Sequence, residues 1–348
     1  MLLIDALNTK GGGGLVLLKY LASELRVRNI EFQVLTRKNL ATFLNQNERI
    51  EHSLSKFGWF ARNKIVSVAV QQTNPTTLFC FGNTPPPKAW NSISTITLFQ
   101  NLHLLRSVDT LAYGLKNRLR YNLTARTIKK NLRHSKHWVF QSDYIKNNFI
   151  KEYQADSNTC VTLPFFNDQH LVTLAKTDNS NGQSDRFIYV SHGYSHKNHA
   201  RLLDAWEILL KKNLRPELTL TINKECDAIL SRIEELRGQG ARIENLGIIP
   251  QEEAIEATRK CSYVIYPTLL ETLGLGMVEG MMSGCRVLAS DLPFVHEVIK
   301  PSAVFDPYDS NSIADVAEQA LQHNLPKTEI RIKNCIDDLI TLLQANDR

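Results

Sequence analysis

Short apolar runs, rich in β-branched and aromatic residues, alternate along the chain with longer segments in which apolar residues recur at helical spacing. The short runs predict buried strands, and the longer segments predict helices. Strands that alternate with helices are typical of parallel βαβ units, so the pattern predicts an α/β protein. The predicted strands lie at residues 2–7, 31–36, 65–69, 77–81, 93–98, 138–141, 161–163, 187–190, 218–222, 242–246, 262–266 and 286–289, and the clearest helices at 15–28, 199–210 and 278–284.

A polar segment interrupts this alternation near the middle of the chain. Residues 177–185 read Thr-Asp-Asn-Ser-Asn-Gly-Gln-Ser-Asp. Such a run predicts a loop, so we predict a linker at 167–185, an N-terminal domain at 1–166 and a C-terminal domain at 186–328. The length of 348 residues suits two domains that each bury a core of their own.

The cysteines and the apolar content indicate the compartment. Six cysteines are scattered without any Cys-x-x-Cys pair, and several lie in apolar runs, where a reduced thiol packs as a small hydrophobe. We therefore expect a reducing cytoplasm and no metal site. The N-terminus lacks the basic and apolar regions of a signal peptide. No run approaches the roughly 20 apolar residues that a membrane span needs.

The most informative run is Glu-Thr-Leu-Gly-Leu-Gly-Met-Val-Glu at residues 271–279, which links a predicted strand to a predicted helix. The backbone N–H groups of a first helical turn lack intrahelical partners and carry partial positive charge, so this turn can cradle a phosphate. Gly274 and Gly276 let a ligand approach closely. Glu271 and Glu279 flank the turn, and carboxylates accept sugar hydroxyl groups well. The alternative is one Glu that complements the helix dipole and another on a solvated helix face.

The residues that follow strengthen the ligand-binding interpretation. Residues 280–291 read Gly-Met-Met-Ser-Gly-Cys-Arg-Val-Leu-Ala-Ser-Asp. Together with residues 271–279 they resemble the family 4 (group 1) glycosyltransferases, whose pattern is Glu-Gly-Phe-Gly-Leu-Pro-x-x-Glu-Ala-Met-Ala-x-Gly-x-Pro-Val-Val-Ala-Ser-Asp. The carboxylate spacing is kept. Departures from the pattern include Thr272 for Gly, Leu273 for Phe, Gly276 for Pro and Arg286 for Pro.

A second motif supports the resemblance. After the strand at 187–190, residues 191–198 read Ser-His-Gly-Tyr-Ser-His-Lys-Asn, where the family has Gly-Arg-x-x-x-x-Lys-Gly and uses its Arg and Lys to hold the donor diphosphate. Lys197 matches the Lys, and His192 stands in the place of the Arg. An imidazole with an ordinary pKa near 6.5 is mostly neutral at physiological pH, so this phosphate contact is expected to be weaker or pH-dependent. A solvated surface side chain is the alternative for both residues.

The resemblance implies a GT-B fold, in which two Rossmann-like domains with parallel sheets face one another across a cleft. It implies a retaining glycosyltransferase that moves a sugar from a nucleoside diphosphate to an acceptor hydroxyl, of hexosyltransferase type, without a metal ion or a cofactor. Segment 329–348 has apolar residues at helical spacing, and the resemblance implies that such a helix crosses back to the N-terminal domain.

The resemblance also assigns roles to individual residues. Glu279 is expected on the nucleotide ribose, Glu271 near the donor sugar, and Lys197 on the diphosphate. The backbone near Gly247 and Ile248 is expected to bracket the base.

Two polar segments of the N-terminal half complete the predicted site. The first is the glycine-rich loop at 11–14, which is neither a P-loop nor a dinucleotide fingerprint and is otherwise a simple tight turn. The second follows the strand at 93–98, at the carboxyl end where open α/β sheets bind ligands. There the family often has a His or Asp facing the sugar, and the choice between Asn101 and His103 stays open. A packed or capping imidazole is the alternative for His103. In all, the donor-binding candidates are Glu279, Thr272, Leu273, Gly274, His192, Gly247, Ile248, Gly13 and Gly14, and the catalytic candidates are Glu271, Lys197, His103 and Asn101.

The segment 106–136 is the most basic of the chain, with nine Lys and Arg residues opposed by Asp109. Apolar residues recur among them at helical spacing. A basic amphipathic helix of this kind can lie on an anionic membrane surface, where each cation contributes about 1 kcal/mol. A solvated helix face with a packed stripe remains the alternative. Nucleic acid would also suit a basic face, but the rest of the chain indicates nucleotide sugars, so we expect none.

We therefore predict a cytoplasmic enzyme, peripheral on the inner face of the membrane, that builds a lipid-linked, lipopolysaccharide or polysaccharide glycan. Two other functions stay open at this point. A nucleotide-sugar epimerase of GT-B type would use the same donor site without an acceptor. A non-catalytic module would bind the nucleotide sugar without turnover.

Overall fold

A computed structural model of the protein divides into two compact units. One consists of Met1–Asn167 together with Lys333–Arg348, and the other of Asp168–Ile332. We call them the N-terminal unit and the C-terminal unit, and we propose that they are the two domains. The structure describes residues 1–9, 11–37, 40, 42–52, 58–105, 115–168 and 185–345.

The N-terminal unit is built on a seven-stranded parallel sheet of order β3-β2-β1-β4-β5-β6-β7. The central strands are buried along their whole length, as expected where helices cover both faces of a parallel sheet. The elements are β1 (Leu2–Asp5), α1 (Gly12–Val27), β2 (Phe32–Arg37), β3 (Arg49–His52), α2 (Gly58–Thr73), β4 (Thr77–Cys80), β5 (Ser94–Phe99), α3 (Leu115–Lys130), β6 (His137–Phe140), α4 (Asp143–Tyr153) and β7 (Cys160–Thr162).

The C-terminal unit has a six-stranded parallel sheet of order β10-β9-β8-β11-β12-β14, and β13 pairs with β15 in an antiparallel ribbon. The elements are β8 (Arg186–Tyr189), α5 (His199–Lys211), β9 (Glu217–Leu220), α6 (Asp227–Gly238), β10 (Ile243–Asn245), α7 (Gln251–Arg259), β11 (Tyr263–Tyr266), α8 (Leu275–Met282), β12 (Arg286–Ser290), α9 (Pro293–Val298), β13 (Ile299–Lys300), β14 (Ala303–Phe305), α10 (Ser310–Gln322) and β15 (Glu329–Ile330).

The chain then returns to the N-terminal unit as α11 (Ile336–Gln344). The backbone N–H of Cys335 donates to the carbonyl oxygen of Pro164, and Asn334 donates to the hydroxyl of Tyr20. The apolar face of α11 is buried. The helix is shorter than the predicted segment 329–348, because residues 329–330 pair with β13 instead.

The predicted strand at 65–69 is wrong, because these residues belong to helix α2. Their short apolar run fits a buried strand and a buried helix equally well. In the structure Val66, Ala69 and Val70 pack against the sheet residues Leu3 and Leu78. Their spacing is that of one helix face, so tertiary packing decided the structure here.

Each sheet reverses its strand order at one point, where ligands bind in open α/β folds. In the N-terminal unit the reversal lies between β1 and β4, and in the C-terminal unit between β8 and β11. The loops that leave β8 and β11 carry Lys197 and Glu271. The topology of the C-terminal unit thus brings the two sequence motifs to one edge of one sheet. Among the described residues, no helix has the length and hydropathy needed to cross a bilayer.

Candidate active site

The loop after β8 is shaped by Asn198, which adopts a left-handed conformation with φ 62°. Asn tolerates this conformation better than most residues with a side chain. Its buried side-chain amide donates to the carbonyl oxygens of Pro267 at 3.1 Å and Pro307 at 2.7 Å. Asn198 therefore ties the loop that carries Lys197 to the loop that follows β11.

His192 is half-buried at the start of the same loop, and its ring lies 5.6 Å from the ring of Tyr194. The neighbouring Gly193 holds this part of the loop. Its backbone N–H donates to Oδ1 of Asn223 at 3.3 Å, and a Cβ atom at Gly193 would overlap the sulfur of Cys226. A larger residue at this position would therefore force Cys226 to move.

Lys197 and Glu271 form an ion pair at the carboxyl edge of the sheet, in which Nζ of Lys197 donates to Oε1 of Glu271. The hydroxyl of Tyr266 donates to the same oxygen at 2.8 Å. Both charged side chains keep a little exposure, 16% and 17%. A phosphate or a sugar hydroxyl can therefore reach both groups.

Helix α8 begins directly after Gly274, which has φ 65° and caps the helix. The two residues before Gly274 differ in exposure: Leu273 is only 3% exposed, and Thr272 is half-buried. The side chain of Leu273 packs in the core, so this residue offers only its backbone to a ligand. Without an acidic residue in the first turn of α8, its N–H groups and positive dipole end suit an anion.

Glu279 lies further along α8 and lines a small pocket together with residues of α7 and β11. The side-chain amide of Gln251 donates to Oε1 of Glu279 at 2.8 Å. Burial raises the pKa of Glu279, and the hydrogen bond from Gln251 opposes that rise. The other residues around the pocket are Val190, Ala254, Ile255, Thr258, Val264, Tyr266 and Gly276.

Gly247 and Ile248 follow β10 at the same edge of the sheet. Gly247 is in the left-handed region with φ 69°, and its N–H donates to Oδ1 of Asn245 at 3.3 Å. Ile248 is 68% exposed. An exposed aliphatic side chain next to a polar turn offers a surface against which a planar base can pack.

The candidates of the N-terminal unit lie around the carboxyl ends of β1 and β5. Gly13 and Gly14 belong to the first turn of α1, which starts at Gly12, so the predicted loop is partly helical. Oδ1 of Asn101 accepts from the backbone N–H of His103 at 3.1 Å and caps a short 3-10 turn. The ring of His103 stacks on Tyr121 at 5.3 Å. The joint action of these residues with those of the C-terminal unit stays a prediction.

No three His, Cys, Asp or Glu side chains of the described ranges are grouped so that they could hold a metal ion. Of the predicted site residues, Lys197 is cationic, and His192 becomes so when protonated.

The chain is similar in sequence to known glycosyltransferases. Residues 173–336 match the family model described as glycosyl transferases group 1. The chain resembles the group 1 glycosyltransferases. The O-antigen chain mannosyltransferase B of Escherichia coli is 24% identical over 239 residues, which are 65% of this chain and 61% of that enzyme. The serotype-specific mannosyltransferase WbdA of Escherichia coli is 27% identical over 123 residues, 35% of this chain and 14% of WbdA. The matches thus span less than two thirds of these relatives.

Solved structures of glycosyltransferases share the fold. WaaG, a glycosyltransferase involved in lipopolysaccharide biosynthesis, superposes with a TM-score of 0.68 at 15% identity, over 93% of this chain and 91% of WaaG. Anabaena HepE in complex with UDP and glucose gives a TM-score of 0.66 at 15% identity, over 92% of this chain and 89% of HepE. These likenesses confirm the predicted GT-B fold with two Rossmann-like parallel-sheet domains.

Departures from the group 1 glycosyltransferase pattern have local explanations. Asn198 replaces the Gly of the Lys-Gly pair and still supplies the left-handed conformation. Arg286 replaces a Pro, and its guanidinium donates to the carbonyl oxygen of Leu325 at 2.7 Å and to Oδ1 of Asn324.

Two polar residues of the site are absent from our sequence-based predictions. Gln251 contacts Glu279, and Tyr266 contacts Glu271. Gln251 lies far along the chain from both motifs. Tyr266 lies just before the motif that begins at Glu271. The available signal was weak: Tyr266 is a polar-ended aromatic at the carboxyl end of a strand, and Gln251 is the first residue of a helix.

Proposed function

We propose that the protein is a retaining, metal-independent glycosyltransferase of hexosyltransferase type, which transfers a sugar from a nucleoside diphosphate to an acceptor hydroxyl. The observation that carries the proposal is the pairing of Lys197 with Glu271 beside the start of α8, where no side chain caps the first N–H groups. A cation and a helix N-terminus suit a diphosphate, and a carboxylate suits sugar hydroxyls. The match to the group 1 family model and the UDP bound by HepE support it.

The reaction requires charge stabilisation on the leaving diphosphate. Negative charge grows on the diphosphate as the glycosidic bond breaks. Lys197 and the first N–H groups of α8 stabilise this charge more strongly in the transition state than in the ground state. In the structure Lys197 is held by Glu271. An incoming diphosphate therefore draws Lys197 away, and Glu271 becomes available to the donor sugar.

The remaining donor contacts follow from the pocket beside α8. Glu279 can accept two hydroxyls of the ribose, and its pocket is otherwise largely apolar. Ile248 at the neighbouring loop then packs against the base. In this proposal the nucleoside contacts Glu279, the transferred sugar contacts Glu271, and the diphosphate lies between them at residues 272–274.

For the acceptor we propose a glycan of the lipopolysaccharide or polysaccharide class, lipid-linked at the membrane. The names of the relatives support the class, since they are an O-antigen chain mannosyltransferase and a lipopolysaccharide glycosyltransferase. Helix α3 supports the location at the cytoplasmic membrane surface. It carries basic residues and no acidic one, and its Leu119 and Leu123 are 61% and 52% exposed. Part of the predicted basic segment, residues 106–114, lies outside the described residues.

A thermal-shift titration tests the donor site. The wild type and Glu279→Ala are titrated with UDP, GDP, ADP, CMP and NADPH, because a ligand at 100 times its Kd adds about 2.7 kcal/mol of stability. We expect one nucleoside diphosphate to stabilise the wild type and to lose its effect in Glu279→Ala. Glu253→Ala, which removes an exposed carboxylate from α7, is the matched control and should respond like the wild type. A response to NADPH alone, or to no diphosphate, would contradict the proposal.

Product analysis separates transfer from the two alternatives. The protein is incubated with nucleotide sugars that contain the base identified by the titration, with and without a lipid-linked glycan acceptor. A new glycosidic product only in the presence of the acceptor supports the transferase. An altered sugar on the nucleotide without acceptor would indicate an epimerase, and binding without turnover would indicate a non-catalytic module.

A further inference from the structure

Tyr266 occupies a central position between the two carboxylates of the proposed donor site. It is the last residue of β11 and only 4% exposed. Its ring lines the pocket of Glu279, while its hydroxyl donates to Oε1 of Glu271 at 2.8 Å. The ring of Tyr189 packs edge-on against it at 5.4 Å. The Tyr266 hydroxyl is therefore held at the end of a rigid, packed side chain.

The hydrogen bonds of Glu271 are divided unequally between its two oxygens. Oε1 accepts from both Lys197 and Tyr266. Among the residues described by the structure, no hydrogen bond reaches Oε2. Because two donors hold Oε1, the plane of the carboxylate is set, and Oε2 is left as an acceptor for a ligand hydroxyl.

The two donors on Oε1 differ in mobility. Lys197 has a flexible stem, and under the proposed function it turns to the diphosphate when the donor binds. Tyr266 cannot follow, because it is only 4% exposed and its ring packs against Tyr189. Burial raises the pKa of Tyr266 well above its ordinary value, which keeps the hydroxyl protonated as a donor. Tyr266 is thus the partner that still orients Glu271 in the donor complex.

Gly276 gives independent support, because it is the position where the family pattern has Pro. A Cβ atom at Gly276 would lie 3.0 Å from Cε2 of Tyr266. This distance is shorter than an ordinary van der Waals contact. A side chain at residue 276 would require the Tyr266 ring to shift slightly, and we expect this shift to weaken the hydrogen bond between its hydroxyl and Glu271. The small residue and the large ring therefore fit each other.

We propose that Tyr266 is a positioning residue for the transfer reaction, which holds Glu271 so that Oε2 meets a hydroxyl of the donor sugar, and that Gly276 is the residue that makes room for it. The inference rests on the proposed glycosyltransferase function and extends it. The inference predicts that loss of the Tyr266 hydroxyl impairs sugar transfer but not nucleotide binding.

The test compares Tyr266→Phe with Tyr263→Phe. Tyr263 lies on the same strand, is equally buried, and donates through its hydroxyl to the carbonyl oxygen of Ala320 at 2.6 Å. Both variants lose one buried hydrogen bond, but only Tyr266→Phe loses the bond to Glu271. With UDP-glucose, UDP-galactose and GDP-mannose as donors, we expect Tyr266→Phe to lower kcat about tenfold, the order of effect of losing a hydrogen bond to a charged group. The Kd for UDP or GDP should change less than about twofold. Tyr263→Phe should leave kcat within about twofold.

Gly276→Ala provides a second, coupled readout. In the wild-type background it should lower kcat as Tyr266→Phe does, whereas in a Tyr266→Leu background it should have little further effect. Unchanged kcat in Tyr266→Phe, or an equal loss in Tyr263→Phe, would overturn the role of Tyr266 while leaving the glycosyltransferase intact. Additive effects of Gly276→Ala and Tyr266→Leu would overturn the coupling. A wild type that neither binds a diphosphate nor turns over any donor would overturn both proposals.

Discussion

Gln251, the first residue of α7, donates a hydrogen bond of 2.8 Å to Oε1 of Glu279 on α8. The contact links two helices at the pocket where we propose that the ribose binds. A ribose hydroxyl would have to displace the amide or share the carboxylate with it, so we expect Gln251 to affect nucleotide affinity.

Glu279 should make the stability of the protein pH-dependent. Burial raises its pKa above the ordinary 4.5, so the folded state binds a proton more tightly than the unfolded state. Stability from this residue is then greatest below pH 4.5 and declines as the pH rises through the raised pKa. We expect Glu279→Gln to flatten this part of the profile of unfolding free energy against pH, measured by urea denaturation. An unchanged slope in the variant would contradict the assignment.

Gly274 should resist substitution. With φ 65° and a Cβ position that overlaps Met277, Gly274→Ala is expected to cost at least about 1–2 kcal/mol of folding free energy and to weaken nucleoside diphosphate binding. Gly238→Ala is the matched control, because Gly238 ends α6 with no atom within 4 Å of its Cβ position. It should be neutral or gain up to about 1 kcal/mol. Equal effects of the two changes, in urea denaturation, would count against a strained cap at α8.

Arg62 should be essential to the N-terminal unit. It is 1% exposed, its Nε donates to Oδ2 of buried Asp5 at 2.8 Å, and its other nitrogens reach the carbonyl oxygens of Thr84 and Pro85. Arg62→Met leaves Asp5 buried without its partner, so we expect a loss of about 3–5 kcal/mol in urea unfolding. Arg49→Met, which breaks the more exposed pair with Glu51, should cost less than about 1 kcal/mol. Similar losses in the two variants would show that burial does not set how much these ion pairs contribute to folding free energy.

Helix α3 should mediate binding to anionic vesicles. Replacing the exposed Leu119 and Leu123 by Asp removes apolar contact and adds negative charge, so co-sedimentation with phosphatidylglycerol vesicles should fall at least about tenfold. Val27→Asp is the control, because Val27 is 76% exposed on α1 and lies outside the basic segment. Binding should also weaken as salt is raised. Equal binding by the wild type and the double variant would contradict the proposed contact of α3 with the membrane.

Most central strands could be predicted because they are apolar throughout. The runs at β4, β5, β8 and β11 match strands of the structure within one or two residues. The edge strand β3 escaped prediction, because Arg-Ile-Glu-His contains a single apolar residue and gains its structure from pairing with β2. The start of α8 also differs from the predicted 278: it begins at Leu275, where the left-handed Gly274 ends the preceding loop.

The sequence by itself determined the α/β class, the group 1 motif and the candidate pair of carboxylates, because these depend on residue type and spacing along the chain. Tertiary structure alone decided that α2 is a helix, that Lys197 meets Glu271 across 74 positions, and that Tyr266 and Gln251 hold the two carboxylates. Spacing cannot show these contacts. Lys197 meets Glu271 where the loops after β8 and β11 come together at the reversal of strand order, and Gln251 meets Glu279 between α7 and α8. The topology of the sheet and its helices sets which partner a side chain meets.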